Sequence, residues 1–154
     1  MKLMSNIQPS YACGISDQPL LGITIGRALR QTAAQFPANE AIASLHQNQR
    51  LSYAELDRQT DQVAAALLSL GVSPGDRVAI WSPNRVEWLI AHHGAVRIGA
   101  IVVTVNPALR EEEARHVLAD SGAAVAFAAI SFRDYSFADA LERIRSNLPE
   151  LREV

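Results

Sequence analysis

The chain is poor in several things, and each shortage removes a class of protein. Cys13 is its only cysteine, so no internal disulfide can form, and a reducing compartment is expected. No apolar run approaches the roughly 18 residues of a membrane helix. Met1–Ser10 carries one lysine and no apolar core, unlike a secretory signal. The net charge of −2 has its cations scattered, which gives neither nucleic acid nor an anionic membrane a basic patch to read. A cytoplasmic, water-soluble protein is expected. With 154 residues, 49% hydrophobic and 19% charged, the prior is one globular domain.

Chemical signatures are as scarce. No Gly-x-Gly-x-x-Gly follows a strand; Gly22 and Gly26 precede a helix without the third glycine. No Walker-type loop ends in Gly-Lys-Ser/Thr, and no His-Glu-x-x-His is present. His92 and His93 are neighbours on a predicted helix and point about 100° apart, so they cannot share a metal; packing or surface roles are expected. Glu112 and His116 lie four apart, which suits an exposed helical pair better than a ligand pair. Cys13 has no base beside it in sequence. The Glu111-Glu112-Glu113 run suits a solvated helix start.

What is present is an alternation of strands and helices. Short apolar runs at Val78–Trp81, Ile101–Val105 and Ala124–Ala128 begin 23 residues apart, with helical patterns between them. That rhythm predicts an α/β fold, a parallel sheet flanked by helices, with these strands buried on both faces. Upstream, Thr24 caps a helix to about Phe36 with Ile25, Leu29, Ala33 and Phe36 on one face. Ala41–Leu45 and Arg50–Ser52 form a small β-hairpin turning at His46–Gln49. Ser52 and Glu55 make a capping box for a helix whose inner face carries Leu56, Val63, Leu67 and Leu70, ended by Gly71. Asn84 with Glu87 is expected to open a helix over Val86–Ile98, apolar on most of its circumference and packed on more than one side. Helices are predicted over Leu109–Asp120, with Leu109, Ala114, Val117 and Leu118 inward, and over Ser136–Leu148, burying Phe137, Ala140, Leu141, Ile144 and Leu148. Leu151–Val154 reads as the start of a strand. Residues 1–22 read as a partly disordered leader, and 23–154 as one α/β subdomain.

Four stretches carry a resemblance. Leu51-Ser52-Tyr53-Ala54-Glu55-Leu56 resembles the first core motif of the adenylate-forming superfamily, which holds acyl-CoA synthetases, peptide-synthetase adenylation domains and luciferases. Gly71 to Ile80 resembles the helix-turn-strand step that follows it there. Arg97 to Pro107 resembles the second core motif, in the Asn106-Pro107 form usual in acyl-CoA synthetases. Trp81-Ser82-Pro83-Asn84-Arg85-Val86-Glu87-Trp88 is similar to medium- or long-chain fatty acyl-CoA ligases. The resemblance covers residues 20–154 and implies the N-terminal subdomain of a longer enzyme that uses ATP, Mg and CoA to convert a fatty or other carboxylic acid into acyl-CoA, AMP and pyrophosphate. The Gly/Ser/Thr-rich phosphate loop, the ribose-binding aspartate and the catalytic lysine of that superfamily are expected beyond Val154. No residue of this chain is carried over as catalytic, cofactor-binding or metal-binding. The expected partner is the remainder of the enzyme. Self-association through a sheet edge or the Val86–Ile98 helix is also expected. The competing readings are a non-catalytic folding or interaction module and an aryl-CoA ligase.

Overall fold

The computed structural model describes Gly14, Asp17 and residues 20–154, so Cys13 and most of the expected leader lie outside the described residues. Chain order is α1 (Ile25–Gln35), β1 (Glu40–Ser44), β2 (Gln49–Ser52), α2 (Tyr53–Ser69), β3 (Arg77–Trp81), α3 (Val86–Arg97), β4 (Ile101–Val105), α4 (Glu111–Ser121), β5 (Ala123–Ala128), β6 (Ser131–Phe132), β7 (Tyr135–Ser136) and α5 (Phe137–Ile144). A single 3-10 turn, Arg145–Asn147, follows α5.

β3 is the centre of the sheet, paired in parallel with β4 on one side and β5 on the other. Its Val78, Ala79, Ile80 and Trp81 are all at most 1% exposed, each large apolar side chain among them contributing about 1.5–3 kcal/mol through burial. Alternation along the strand sends Val78 to one face, where it meets Leu67, Ala95 and Val125. Ala79 and Trp81 go to the other, among Ala114, Leu118, Phe137, Leu141 and Ile144. Thus α2 and α3 cover one face and α4 and α5 the other. Trp81 stacks on Phe137, ring centroids 4.3 Å apart.

β4 departs from expectation. As an edge strand it is not buried on both faces: Ile101 is 53% exposed and Thr104 is exposed. On the opposite side the sheet goes further than the alternation alone suggested. Arg152 N–H donates to the Ala124 carbonyl and Ala126 N–H to the Glu153 carbonyl, so Val125 and Glu153 pair in parallel beside β5. The expected strand start at Leu151–Val154 is therefore already paired, and Leu151 is buried.

The caps explain where most helices begin. Thr24 Oγ1 accepts from Arg27 N–H, and Ser52 and Glu55 form the reciprocal capping box. Arg110, not Leu109, precedes α4, its N–H donating to the Glu113 carboxylate. Gly122 ends α4 at φ 60°, a left-handed conformation that favours glycine. The carbonyls of Ser121 and Gly122 accept from Arg77, which joins the end of α4 to the start of β3.

Three inward-facing assignments fail. In α1 the buried positions are Gly26, Leu29 and Ala33, while Ile25 and Phe36 are 54% and 44% exposed. Gly26 lies against the Arg97 backbone, which rotates Ile25 outward. In α2 Leu70 is 41% exposed, because the helix has ended and the chain turns at Gly71. The remaining inward residues of α2, α4 and α5 are buried or half-buried as expected. The short β6–β7 hairpin has no counterpart in the expected elements.

α2 and α3 approach closely at Gly94. A Cβ there would stand 2.5 Å from Val63 Cγ1. Beside that contact, Arg97 Nη2 lies 2.5 Å from Asp57 Oδ1 and its Nη1 lies 2.6 Å from Asp61 Oδ1, while Arg30 from α1 also holds Asp61 at 2.7 Å. One cation thus ties α3 to α2, and one aspartate ties both to α1.

Candidate functional site

In open parallel sheets, ligand crevices lie beyond the carboxyl ends of the strands. A cleft of about 470 Å³ opens there, on the α3 face. Ile80 and Phe127, cross-strand neighbours on β3 and β5, make its floor. Trp88 and Ala91 of α3 form one wall, and Ala128, Ala129, Ile130 and Ser131 form the other. The second wall is held by its backbone. Ala129 N–H donates to the Trp81 carbonyl, and the Ile130 carbonyl accepts from Phe137 and Ala138. The Ile130 side chain nevertheless stands 80% exposed.

The polar lining is Ser82, Ser131 and, at the start of α3, Arg85 and Glu87, the last of them held from the hairpin. Gln47, at the β1–β2 turn, accepts from Val86 N–H and donates to the Glu87 carboxylate, both at 2.8 Å. Arg85 Nε donates to the same carboxylate at 3.2 Å. Burial acts to raise the Glu87 carboxyl pKa, but the hydrogen bonds from Gln47 and Arg85 outweigh it and hold the pKa below its ordinary value. Asn84 does not cap α3 as expected, since Gln47 takes that role from 39 residues away. No local pattern could have shown this.

Behind Trp88 the two histidines take the packing roles expected of them. Trp88 stacks on His92 at 5.4 Å, and His92 meets His93 edge-on. Burial lowers the pKa of both imidazoles; for His93 the charges of His92 and Arg97 lower it further. The His93 Nδ1 is buried without a hydrogen-bond partner. Glu112 and His116 do not pair. Arg115, three residues on, takes the Glu112 carboxylate at 3.0 Å, and His116 is exposed. Gly22 and Gly26 flank the start of α1 and do not line the cleft.

The described residues do not by themselves fit a magnesium–nucleoside triphosphate. The rim cation Arg85 is already engaged by Glu87, and among the described residues no three acidic, cysteine or imidazole groups converge as a metal site would need. Lys2, the only lysine, lies outside the described residues. What the cleft offers is a mostly apolar volume, with Ser82 and Ser131 in its lining and Arg85 paired to Glu87 at its rim.

A parallel sheet covered by helices, with a crevice at its carboxyl end, defines an α/β ligand-binding class. The family profile described as AMP-binding enzyme matches residues 29–154, and the chain belongs to this family. It is 35% identical over 145 residues to the medium-chain acyl-CoA ligase ACSF2, mitochondrial, of Mus musculus, covering 94% of this chain and 23% of that protein. Among solved structures, the Mycobacterium tuberculosis fatty acyl CoA synthetase superposes with a TM-score of 0.76 at 31% identity, over 84% of this chain and 26% of that one. The anthranilate CoA ligase AuaEII, in complex with anthranoyl-AMP, superposes with a TM-score of 0.75 at 25% identity, over 86% of this chain and 25% of that one. The chain therefore spans about a quarter of the length of these relatives and matches the N-terminal part of an acyl-CoA synthetase.

Proposed function

We propose that these residues serve an AMP-forming acid–CoA ligase, which activates a fatty acid with ATP and magnesium, releases pyrophosphate and passes the acyl group to CoA. The observation that carries the reading is the family match over residues 29–154, joined to an acyl-CoA ligase relative at 35% identity. The work of this part is to supply the rigid sheet and helices against which the remaining three-quarters of such an enzyme builds its nucleotide site. Its partners are that remainder and the acid substrate, and the same reading puts the enzyme in the cytoplasm.

ATP–pyrophosphate exchange tests it. The 154-residue chain alone is expected to show no acid-dependent exchange. The Mycobacterium tuberculosis synthetase carrying residues 29–154 in place of its own matched segment is expected to retain exchange with a fatty acid. A folded chimera without exchange would count against the reading, as would turnover by the chain alone. The likeness to an anthranilate CoA ligase supports a second reading, an aryl-CoA ligase. Exchange driven by anthranilate but not by octanoate in the complete enzyme would favour it.

A further inference from the structure

Two imidazoles separate Trp88 from Arg97 along α3. Trp88, in the wall of the cleft, is stacked on His92 with the ring planes 12° apart. His92 in turn meets His93 at 84°, centroids 5.3 Å apart. One imidazole thus holds the aromatic wall from behind, and the next imidazole holds the first. The two do not accept a proton equally. His93 Nδ1 is buried without a hydrogen-bond partner, and of the four imidazole nitrogens it alone is so placed. A neutral ring tolerates this with its hydrogen on Nε2, since Nδ1 then presents only a lone pair. An imidazolium carries N–H at both nitrogens, and a buried N–H with no acceptor is strongly disfavoured. His92, by contrast, lies against the face of Trp88, where a cation is attracted.

We infer that His93 is an acid-operated catch for the Trp88 wall: on taking a proton at Nδ1 its ring leaves its buried place, His92 loses the edge it rests on, and Trp88 is released. The elements packed against α3 bring no free carboxylate to hold the charge in place. Asp57 and Asp61 of α2 are both taken by Arg97, and Arg30 of α1 holds Asp61 from the other side. Glu87, at the start of α3, is bound by Gln47 of the hairpin and by Arg85. β3 brings only Arg77, engaged by the carbonyls of Ser121 and Gly122, and β4 brings no charge. The groups that do act on His93, His92 and Arg97, oppose a further positive charge, and burial adds to them. The release therefore falls below the ordinary imidazole value of 6.5. A catch that holds at neutral pH and yields in acid makes the shape of the cleft depend on pH through three side chains of one helix.

Acrylamide quenching of tryptophan fluorescence reads the release in the 154-residue chain. Of its two tryptophans, Trp81 is 1% exposed and out of the quencher's reach, and Trp88→Phe measures that background. Between about pH 8 and 5 the quenching constant of Trp88 is expected to rise at least about twofold, with the far-ultraviolet circular dichroism unchanged. In His93→Gln, which cannot take the proton, the rise is expected to vanish. In the unmodified chain its midpoint is expected to coincide with the NMR titration of the His93 ring protons, a reading that needs no variant. A quenching constant that stays flat overturns the inference. One that falls overturns it too, and shows protonated His92 tightening on Trp88 instead. A rise that survives in folded His93→Gln, or whose midpoint departs from the His93 titration, assigns the movement to another group and overturns it. So does a rise that comes only with loss of the circular dichroism signal, which is general unfolding.

Discussion

Arg97 and Asp57 face each other across the α2–α3 seam at 2.5 Å, with side chains only 10% and 21% exposed. The second aspartate, Asp61, is 51% exposed and shares itself between Arg97 and Arg30. Near-equal distances thus conceal unequal contributions. Asp57→Asn is expected to destabilise the chain by about 1.5–3 kcal/mol, since it weakens a largely desolvated charged hydrogen bond. Asp61→Asn should cost no more than about 1 kcal/mol, as for exposed pairs. Urea midpoints measured side by side check the order; equal losses would contradict it.

Gly94 sets how near α2 and α3 can come. Gly94→Ala is expected to cost about 1–3 kcal/mol by overpacking, because its Cβ meets Val63 at 2.5 Å and the Ala64 backbone nitrogen at 3.3 Å. Adding Val63→Ala should recover part of that loss, giving a favourable coupling in a double-mutant cycle. Strict additivity of the two losses would show that the helices are free to move apart.

The start of α3 depends on Gln47 and not on the nearby Asn84. Gln47→Ala should therefore lower stability by about 0.5–2 kcal/mol, the scale of a lost helix cap. Asn84→Ala should stay within about 0.5 kcal/mol of the parent, as exposed substitutions do. Thermal unfolding of the two variants settles which residue holds the helix.

Acid should weaken the fold in two stages. His92 and His93 titrate below their ordinary 6.5 in the folded chain, chiefly through burial. The unfolded chain therefore binds more protons, and the stability held by the neutral imidazoles is complete above about pH 6.5 and falls as the pH drops toward the folded values. Glu55, Asp76 and Glu87 are held below ordinary carboxylate values by hydrogen bonds, from Ser52, from Ser73 and from Gln47 with Arg85. Their contribution is lost at lower pH, beneath about 4.5. Melting temperatures taken from about pH 8 to 4 should show the first decline, and His93→Gln should flatten it. An unchanged slope in that variant would assign the decline elsewhere.

Among the described residues no strand pairs with the outer side of β4, whose five residues, Ile101-Val102-Val103-Thr104-Val105, are all β-branched with no proline or charge among them. Such an edge is a template for another strand. Light scattering across a concentration series should show an apparent mass above that of one chain, and Thr104→Lys should reduce it. A constant monomer mass would mean the edge is covered in solution.

How far the amino-acid sequence discloses this molecule depends on the range of each interaction. The 23-residue rhythm places β3, β4 and β5, because burial of a strand is written in a handful of consecutive residues. Thr24, Ser52 and Gly122 announce helix ends through groups only a few positions away. Strand order is not written locally, so β4 reads the same whether it lies inside the sheet or at its edge. The cleft rim is equally hidden, because Gln47 and Glu87 meet only after the hairpin folds over α3. Leu151–Val154 is intermediate: the strand character is legible, but its pairing to β5 comes only with the fold.

The central place of β3 carries a consequence for synthesis. Both of its strand partners are made after it, β4 ending at Val105 and β5 at Ala128. A nascent chain can wind α1 and α2 and dock the hairpin early, since those contacts are near in sequence. The apolar middle strand, by contrast, ends at Trp81 and waits until Ala128, nearly fifty residues on, before both flanks close. At a typical rate of about 5–20 residues per second that interval lasts a few seconds. Throughout it, the most buried strand among the described residues is the one most in need of shelter at the ribosome.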